Sequence, residues 1–316
     1  MKSIQKEITS SFLALVLAAS LLCGGVGVIT NFIGANHLLK QELNATASLA
    51  ADRVAYELTS YKNVVEALGM MPQLSDATVT SEEKKVLVNS WVSAYDMARG
   101  NLLTTSGISL FDGKDYSDRE YFQKAVQGNA WISVPTISKI TGELSIIVAA
   151  PVWKDGIADS KVMGVVYFVP HETFLNDIMN TIHTSENSGA YMISQDGTTI
   201  ADTEIETVAV QNIENEAQTD SSLSALAAIH ADMRSGNSGD GRYKINGISK
   251  CIGYAPVPGT DGWSIAVTSH TKDFFGTTYL GIVVILALLV LVVVVSFLLA
   301  VRIARGLSEP IRVCVE

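Results

Sequence analysis

The sequence predicts an α+β protein in which a long N-terminal helix is followed by two stacked modules. Each module is a helix-backed antiparallel sheet, and the whole is held between two membrane-spanning helices. Three observations predict this. No Asp, Glu, Lys or Arg falls between Glu7 and Lys40, nor between Asp273 and Arg302, and each run exceeds the roughly 20 apolar residues that cross a bilayer. After the first run, apolar residues recur every three to four positions with no proline before Pro72, the period of a helix. From Ser106 onward, short β-rich runs are separated by Gly, Pro and Asp turns, and the set occurs twice.

The first run, ITSSFLALVLAASLLCGGVGVITNFIGA, predicts a span over residues 11–33 after a short N-terminus, 1–10. The second, GTTYLGIVVILALLVLVVVVSFLLAV, predicts a span over 276–301. Lys2 and Lys6 precede the first, and Arg302, Arg305 and Arg312 follow the second. Basic flanks stay cytoplasmic, so both termini are expected inside and residues 34–273 outside, in a two-pass protein of the cell membrane. A cleaved signal peptide is the rival reading of the first run. The run is longer than an h-region of about 7–15 residues and lacks a small-x-small cleavage site, so an uncleaved span is favoured. Leu22 also stands before Cys23 where a lipoprotein would carry a small residue.

Residues 34–273 hold 29 acidic and 17 basic residues, hence a net charge of −12. That argues against a nucleic-acid surface and suits a soluble exported domain. Cys251 is the one cysteine of this segment, Cys23 and Cys314 lying outside it. No disulfide within the segment is possible, so core packing must hold it. There is no CxxC, HExxH or Gly-rich phosphate loop. The five histidines (His37, His171, His183, His230 and His270) are scattered near expected helix ends and read as surface residues. No metal, cofactor or catalytic residue is expected. An exported enzyme, the rival class, would need a convergent acid, base or nucleophile cluster that is not evident.

Leu39, Leu43, Thr46, Ala50, Val54, Leu58, Tyr61, Val65 and Leu68 mark one face of a stalk helix over 34–71, with Lys40, Glu42, Asp52, Arg53 and Lys62 turned to water. The helix is read either as a stalk that also packs on a symmetry mate or as an intramolecular core helix. A membrane-distal module is expected over 72–183. It opens with a helix in SEEKKVLVNSWVSAYDMA, capped by Thr80 or Ser81. Strands follow in SGISLFDG, AWISVPTIS, ELSIIVAAPVW and KVMGVVYFV, with a hairpin turn at KITG around Gly142. HETFLNDIMNTI closes it as a helix. A membrane-proximal module is expected over 184–273. GAYMISQDGTTIAD gives two strands around Asp196-Gly197, SSLSALAAIHADM a helix and SGNSGDG a flexible turn. YKINGISKCIGYAPV and WSIAVTS then give strands separated by PGTDG.

Four segments, DYSDREYFQKAVQGNAWISVPTIS, GELSIIVAAPVW, MGVVYFV and GYAPVPGTDGWSIAV, occur in this order between the two spans. Together they resemble the double-CACHE extracytoplasmic sensor of bacterial methyl-accepting chemotaxis proteins and related signalling proteins, built of two PAS-like modules. RIARGLSEPIRVCVE, residues 302–316, resembles the start of a HAMP linker, with Pro310-Ile311 opening its first helix. The resemblance implies a homodimeric chemoreceptor that binds a small extracellular metabolite and signals to cytoplasmic partners. Its output lies beyond Glu316; a histidine kinase or diguanylate cyclase is the alternative. Homodimerisation is expected through the helix from Leu39 to Leu68, and ligand binding is expected to shift one helix against another by about 1–2 Å.

The resemblance also places the ligand pocket in the membrane-distal module. Its motif, an Arg followed by an aromatic pair, falls on Arg119, Tyr121 and Phe122, with Tyr116 just before. Ser133, Pro135 and Ser145 are further candidates. An arginine can fork onto a carboxylate with two charge-assisted hydrogen bonds, and aromatic rings can wall the rest of a small ligand. Alternatively, Arg119 pairs with Asp115, Asp118 or Glu120 and pins a loop, and Tyr121 and Phe122 belong to the core. Amino-acid-binding members carry Arg-x-Trp-Tyr here and an Asp on the strand before the second helix. This chain has Tyr121-Phe122, and Val169 near the place of that Asp. A buried ammonium without a carboxylate is costly. The expected ligand is therefore a small carboxylate or a neutral polar metabolite such as a nucleobase.

Overall fold

A computed structural model describes residues 2–137, 144–171 and 174–313 of the chain. The expected turn at 139–142, residues 172 and 173 of the expected helix, and the last three residues of the expected linker lie outside the described residues. Two compact units result. One combines α1 (Lys2–Gly69), as far as Gln41, with α8 (Thr271–Val313); the other spans Glu42–His270.

In the first unit the two helices run side by side. Phe32 stacks on Phe275 with ring centroids 5.1 Å apart. A Cβ added at Gly24 would lie 3.2 Å from Leu289 Cδ1, so the glycine permits the close approach. Both helices are long and apolar enough to cross a membrane.

In the second unit α1 continues as a docking helix. Leu43, Ala47, Ala50, Val54, Leu58, Val65 and Leu68 are buried, while Thr46 and Tyr61 are half-buried. The periodic face is thus taken up within the chain. Leu49 and Tyr56, on the opposite face, are 70% and 74% exposed. Two glycines let the helix backbone touch the sheets. A Cβ at Gly253 would lie 2.5 Å from the Leu43 carbonyl carbon, and one at Gly69 would lie 2.2 Å from the Pro151 carbonyl oxygen.

The first sheet has β1 (Arg99–Thr104), β6 (Val162–Val169), β5 (Val148–Trp153) and β2 (Trp131–Ile132) in the order β1-β6-β5-β2, all antiparallel. Side chains alternate between its faces. Leu102, Val148, Val166 and Phe168 pack with Val65 and Leu68 of α1 and with Val88 of α3 (Ser81–Ala94). On the other face Leu103, Ala149, Val165 and Tyr167 pack with Tyr121, Phe122 and Ala125 of α4 (Glu120–Ala125). Thr80 caps α3 through a reciprocal pair with Glu83: the Glu83 N–H donates to Thr80 Oγ1 at 3.2 Å and the Thr80 N–H donates to Glu83 Oε2 at 2.9 Å. A short turn of helix, α2 (Pro72–Ser75), joins α1 to this module. The ribbon of β3 (Thr136–Ile137) and β4 (Leu144–Ser145) stands apart from the sheet. The module ends with α5 (Phe174–Met179).

Two expectations for this module are corrected. SGISLFDG is a turn, not a strand. Gly107, at φ +85, reverses the chain directly after β1, and the Thr104 N–H donates to the Ile108 carbonyl at 2.8 Å. The strand is instead RGNLLT, whose buried run includes Asn101. The hairpin of AWISVPTIS and ELSIIVAAPVW is also not one pair of strands: the first segment divides between β2 and β3, and the second between β4 and β5.

The second sheet has five strands in the order β8-β7-β11-β10-β9. They are β7 (Ser188–Ile193), β8 (Thr199–Asp202), β9 (Gly239–Ile245), β10 (Ile248–Pro256) and β11 (Ser264–His270). α6 (Ile213–Glu216) and α7 (Ser224–Arg234) belong to the same module, and Leu226 and Met233 of α7 pack against Ile252 and Ala266. YKINGISKCIGYAPV is two strands rather than one. Asn246 and Gly247 take φ of 50 and 80, the two positive-φ residues of a tight hairpin. β9 also begins inside the expected flexible turn. His230 is 1% exposed, so the surface reading of that histidine is corrected.

Candidate functional site

The α4 face of the first sheet carries a cavity of about 340 Å³. The chain segment before α4 supplies Tyr116, Asp118 and Arg119, and the helix itself supplies Glu120 and Tyr121. The sheet contributes Arg99 from β1 with Tyr167 and Val169 from β6. Ser133, Val134, Thr136, Ser145 and Ile147 complete the lining from the β2–β5 region and the ribbon.

Three tyrosines meet here. Tyr121 and Tyr167 rings are 5.2 Å apart, edge to face, and Tyr116 and Tyr167 are 6.2 Å apart. The Tyr116 hydroxyl donates to Asp112 Oδ2 at 2.9 Å, and Asn101 Nδ2 donates to the Tyr167 hydroxyl at 3.2 Å. Burial raises all three phenols above their ordinary value, and for Tyr116 the bond to Asp112 adds to it. They are therefore neutral hydroxyls at physiological pH, able both to donate and to accept.

Charge of both signs surrounds the tyrosines. Arg119 Nε lies 3.2 Å from Asp118 Oδ1, one of the ion pairs the sequence left open. Arg99 is the neighbour of Val169 across the β1–β6 ladder. Both residues line the cavity, so its β1–β6 wall pairs a valine with an arginine.

Of the seven residues singled out in the sequence, the structure brings Tyr116, Arg119, Tyr121, Ser133 and Ser145 to one cavity. Phe122 and Pro135 are not on its wall. Phe122 is 5% exposed and packs in the core with Ala149 and Val165, which is the core alternative; Pro135 is buried. Ser133 also ties β2 to β5, its Oγ accepting from the Ile147 N–H at 2.9 Å. Sequence reasoning missed Arg99 and Tyr167. Both reach the cavity through strand pairing, which no local motif encodes.

The Cache domain family model (dCache_1) matches residues 35–278. The chain belongs to the Cache domain family. Cache domains are extracytoplasmic sensors, non-catalytic and ligand-binding, so small-ligand sensing is the function of this domain. Among solved structures, the ligand-binding domain of the Pseudomonas fluorescens chemoreceptor CtaA, in complex with L-isoleucine, has a TM-score of 0.60 at 16% identity, over 77% of this chain and 97% of that one. The ligand-binding domain of the Pseudomonas aeruginosa PAO1 amino acid chemoreceptor PctB, in complex with L-Arg, has a TM-score of 0.57 at 17% identity, over 74% and 96%. An extracellular domain assigned to a histidine kinase, mmHK1S-Z2, has a TM-score of 0.56 at 14% identity, over 76% and 99%. These likenesses show the Cache fold. No curated protein matches the chain significantly.

Proposed function

We propose that this Cache protein is the sensory part of a two-pass transmembrane chemoreceptor. Its first cavity takes a small carboxylate, or a polar metabolite that presents acceptor oxygens. One observation carries the reading: Arg99 and Arg119 line the same cavity, and Arg99 stands beside Val169 where an ammonium-binding acid would be needed. Guanidinium groups recognise carboxylates with directed, charge-assisted bonds, and the three neutral phenols offer further donors. In this reading 11–33 and 276–301 are the spans, 34–273 is the exported sensor, divided at about residue 183, and 302–316 opens a HAMP linker. Both termini are cytoplasmic. A homodimer would use the exposed face of α1 that bears Leu49 and Tyr56, because the face from Leu43 to Leu68 is occupied within the chain. The output beyond the linker is a chemotaxis module, with a histidine kinase or diguanylate cyclase as the alternative.

An amino-acid ligand is the second reading. Asp118 and Glu120 also line the cavity, and either carboxylate could meet an ammonium group. CtaA and PctB are amino-acid-bound in their structures. Titrating the full chain with paired probes, an L-amino acid and its deaminated carboxylate, separates the two. The carboxylate binds more tightly if the arginines dominate. Arg119→Ala should then weaken it by more than tenfold, since a bond to a charged group is worth about 1.5–3 kcal/mol. The melting temperature of the ligand-free chain should stay put. Unchanged affinity would remove Arg119 from the site.

A further inference from the structure

Arg99 lines the cavity of the first module, and among the described residues no carboxylate pairs with it. It shares one face of β1 with Asn101 and Leu103, and on that face Leu103 packs with Tyr121 and Tyr167. The residue is half-buried. A cation drawn out of water without a partner is costly, so Arg99 is placed for an anion that the chain itself does not supply.

Arg119 stands elsewhere on the same wall. It has Asp118 beside it at 3.2 Å, and it addresses a different phenol. Burial raises both Tyr167 and Tyr121 above the ordinary phenol value. The Arg99 charge opposes this at Tyr167, and the Arg119 charge opposes it at Tyr121. Those two rings are 5.2 Å apart. The two cations are therefore neighbours without being one site.

The Tyr167 hydroxyl adds a directed donor beside Arg99. Asn101 Oδ1 accepts from the Leu102 N–H at 2.8 Å and from Ser109 Oγ at 2.9 Å, which turns Nδ2 toward the Tyr167 hydroxyl at 3.2 Å. The phenol oxygen thus accepts from Asn101, and its own proton is left to donate elsewhere. The acids of the lining do not cancel this arrangement. Asp118 and Glu120 are exposed, while both arginines are half-buried and Tyr121 and Tyr167 are buried. Negative charge lies toward water, and positive charge and hydroxyl donors lie inside.

We propose, resting on the carboxylate reading of this cavity, that its ligand is a short dicarboxylate. One end lies on Arg119, and the other lies on Arg99 and the Tyr167 hydroxyl. Each guanidinium forks onto a carboxylate with charge-assisted bonds. A ligand with a single anionic end would leave one guanidinium unmatched. The volume, about 340 Å³, is at the small end for ligand pockets and suits a molecule of this size.

Malonate, succinate and glutarate serve as probes of increasing length. Butyrate is the control with one anionic end, and inorganic phosphate is the compact dianion. Each is titrated calorimetrically into the full chain in lipid nanodiscs, and hydrogen exchange maps where protection appears. At least one dicarboxylate is expected to bind roughly tenfold or more tighter than butyrate, because its second end gains bonds to a charged group. Protection is expected over α4 and β6. Arg99→Gln is expected to weaken that dicarboxylate roughly tenfold and butyrate much less, so that the two become similar. If the variant does not fold, the comparison with butyrate in the parent chain decides alone. Dicarboxylates no tighter than butyrate would overturn the second anionic end and leave the carboxylate reading standing, whereas no binding by any carboxylate would overturn both. The proposal also fails if phosphate matches the best dicarboxylate or if Arg99→Gln keeps the preference. It fails equally if protection falls on the second module, where Lys250 lines a separate cavity of about 260 Å³.

Discussion

Arg119 Nε stands 3.2 Å from Asp118 Oδ1, with 27% of the arginine side chain and 68% of the aspartate exposed. A pair so open to water is worth little, about 0.2–1 kcal/mol. It therefore occupies the arginine without committing it, and a ligand carboxylate has only a weak rival to displace. Asp118→Asn should strengthen binding of a carboxylate by up to about fivefold, the range that this energy spans. Calorimetric titration of the variant beside the parent chain reads it. Weaker binding would show that Asp118 positions Arg119 instead of competing for it.

Behind the cavity, Asn101 joins three elements. Its Nδ2 donates to the Tyr167 hydroxyl, and its Oδ1 accepts from Ser109 Oγ at 2.9 Å and from the Leu102 N–H at 2.8 Å. Asn101→Ala strands buried partners, at a cost of about 1–3 kcal/mol. The melting temperature should fall, and affinity at the first cavity should fall with it because Tyr167 loses its anchor. A variant with lower stability but full affinity would mean that the Tyr167 ring alone shapes the wall.

This same residue shows where the sequence was opaque. Local pattern exposes a strand when β-branched and apolar residues run together between turn residues, as in β6 and β11. RGNLLT has two adjacent leucines and a buried amide, so its strand depends on pairing with β6, from Thr104 with Gly164 to Arg99 with Val169, and on the Tyr167 hydroxyl. Arg99 and Tyr167 were hidden for the same reason. Arg119, Tyr116 and Tyr121 were legible because one short segment carries them. The long helix was legible from its period, but not which surface would cover its apolar face. Asn246-Gly247 is a different case: the turn signal is present in the sequence, but the alternating runs on its two sides, YKI and ISKCI, read as one strand through it.

The backbone approach at Gly253 is a sharper test of how α1 docks. A side-chain methyl there would sit 2.5 Å from the Leu43 carbonyl carbon and 2.8 Å from the Asn44 nitrogen. Neither atom is a flexible side-chain end, so the helix itself must retreat from β10. Gly253→Ala should cost about 1–3 kcal/mol, as overpacking does. Chemical denaturation of the second unit reads this directly. A stability equal to that of the parent would show that α1 is not seated on β10.

His230 makes stability depend on pH in a window of its own. Burial lowers its folded value to about 4, from an ordinary 6.5. Between those values the unfolded chain binds the proton and the folded chain does not, so stability rises with pH. The contribution is complete above 6.5, is lost as pH falls from 6.5 toward about 4, and is on the order of 3 kcal/mol in full. Asp202 works in the opposite sense. Its folded value is raised above 3.8, so acidification relieves its buried charge and offsets part of the loss. His230→Gln keeps a group able to reach the Tyr191 hydroxyl but does not titrate. Melting temperatures of the two chains across pH 4–7 should diverge, the parent falling with acid and the variant staying flatter. Parallel curves would mean that water reaches the imidazole, and that the packing of α7 over Tyr191 is looser than the 1% exposure of His230 indicates.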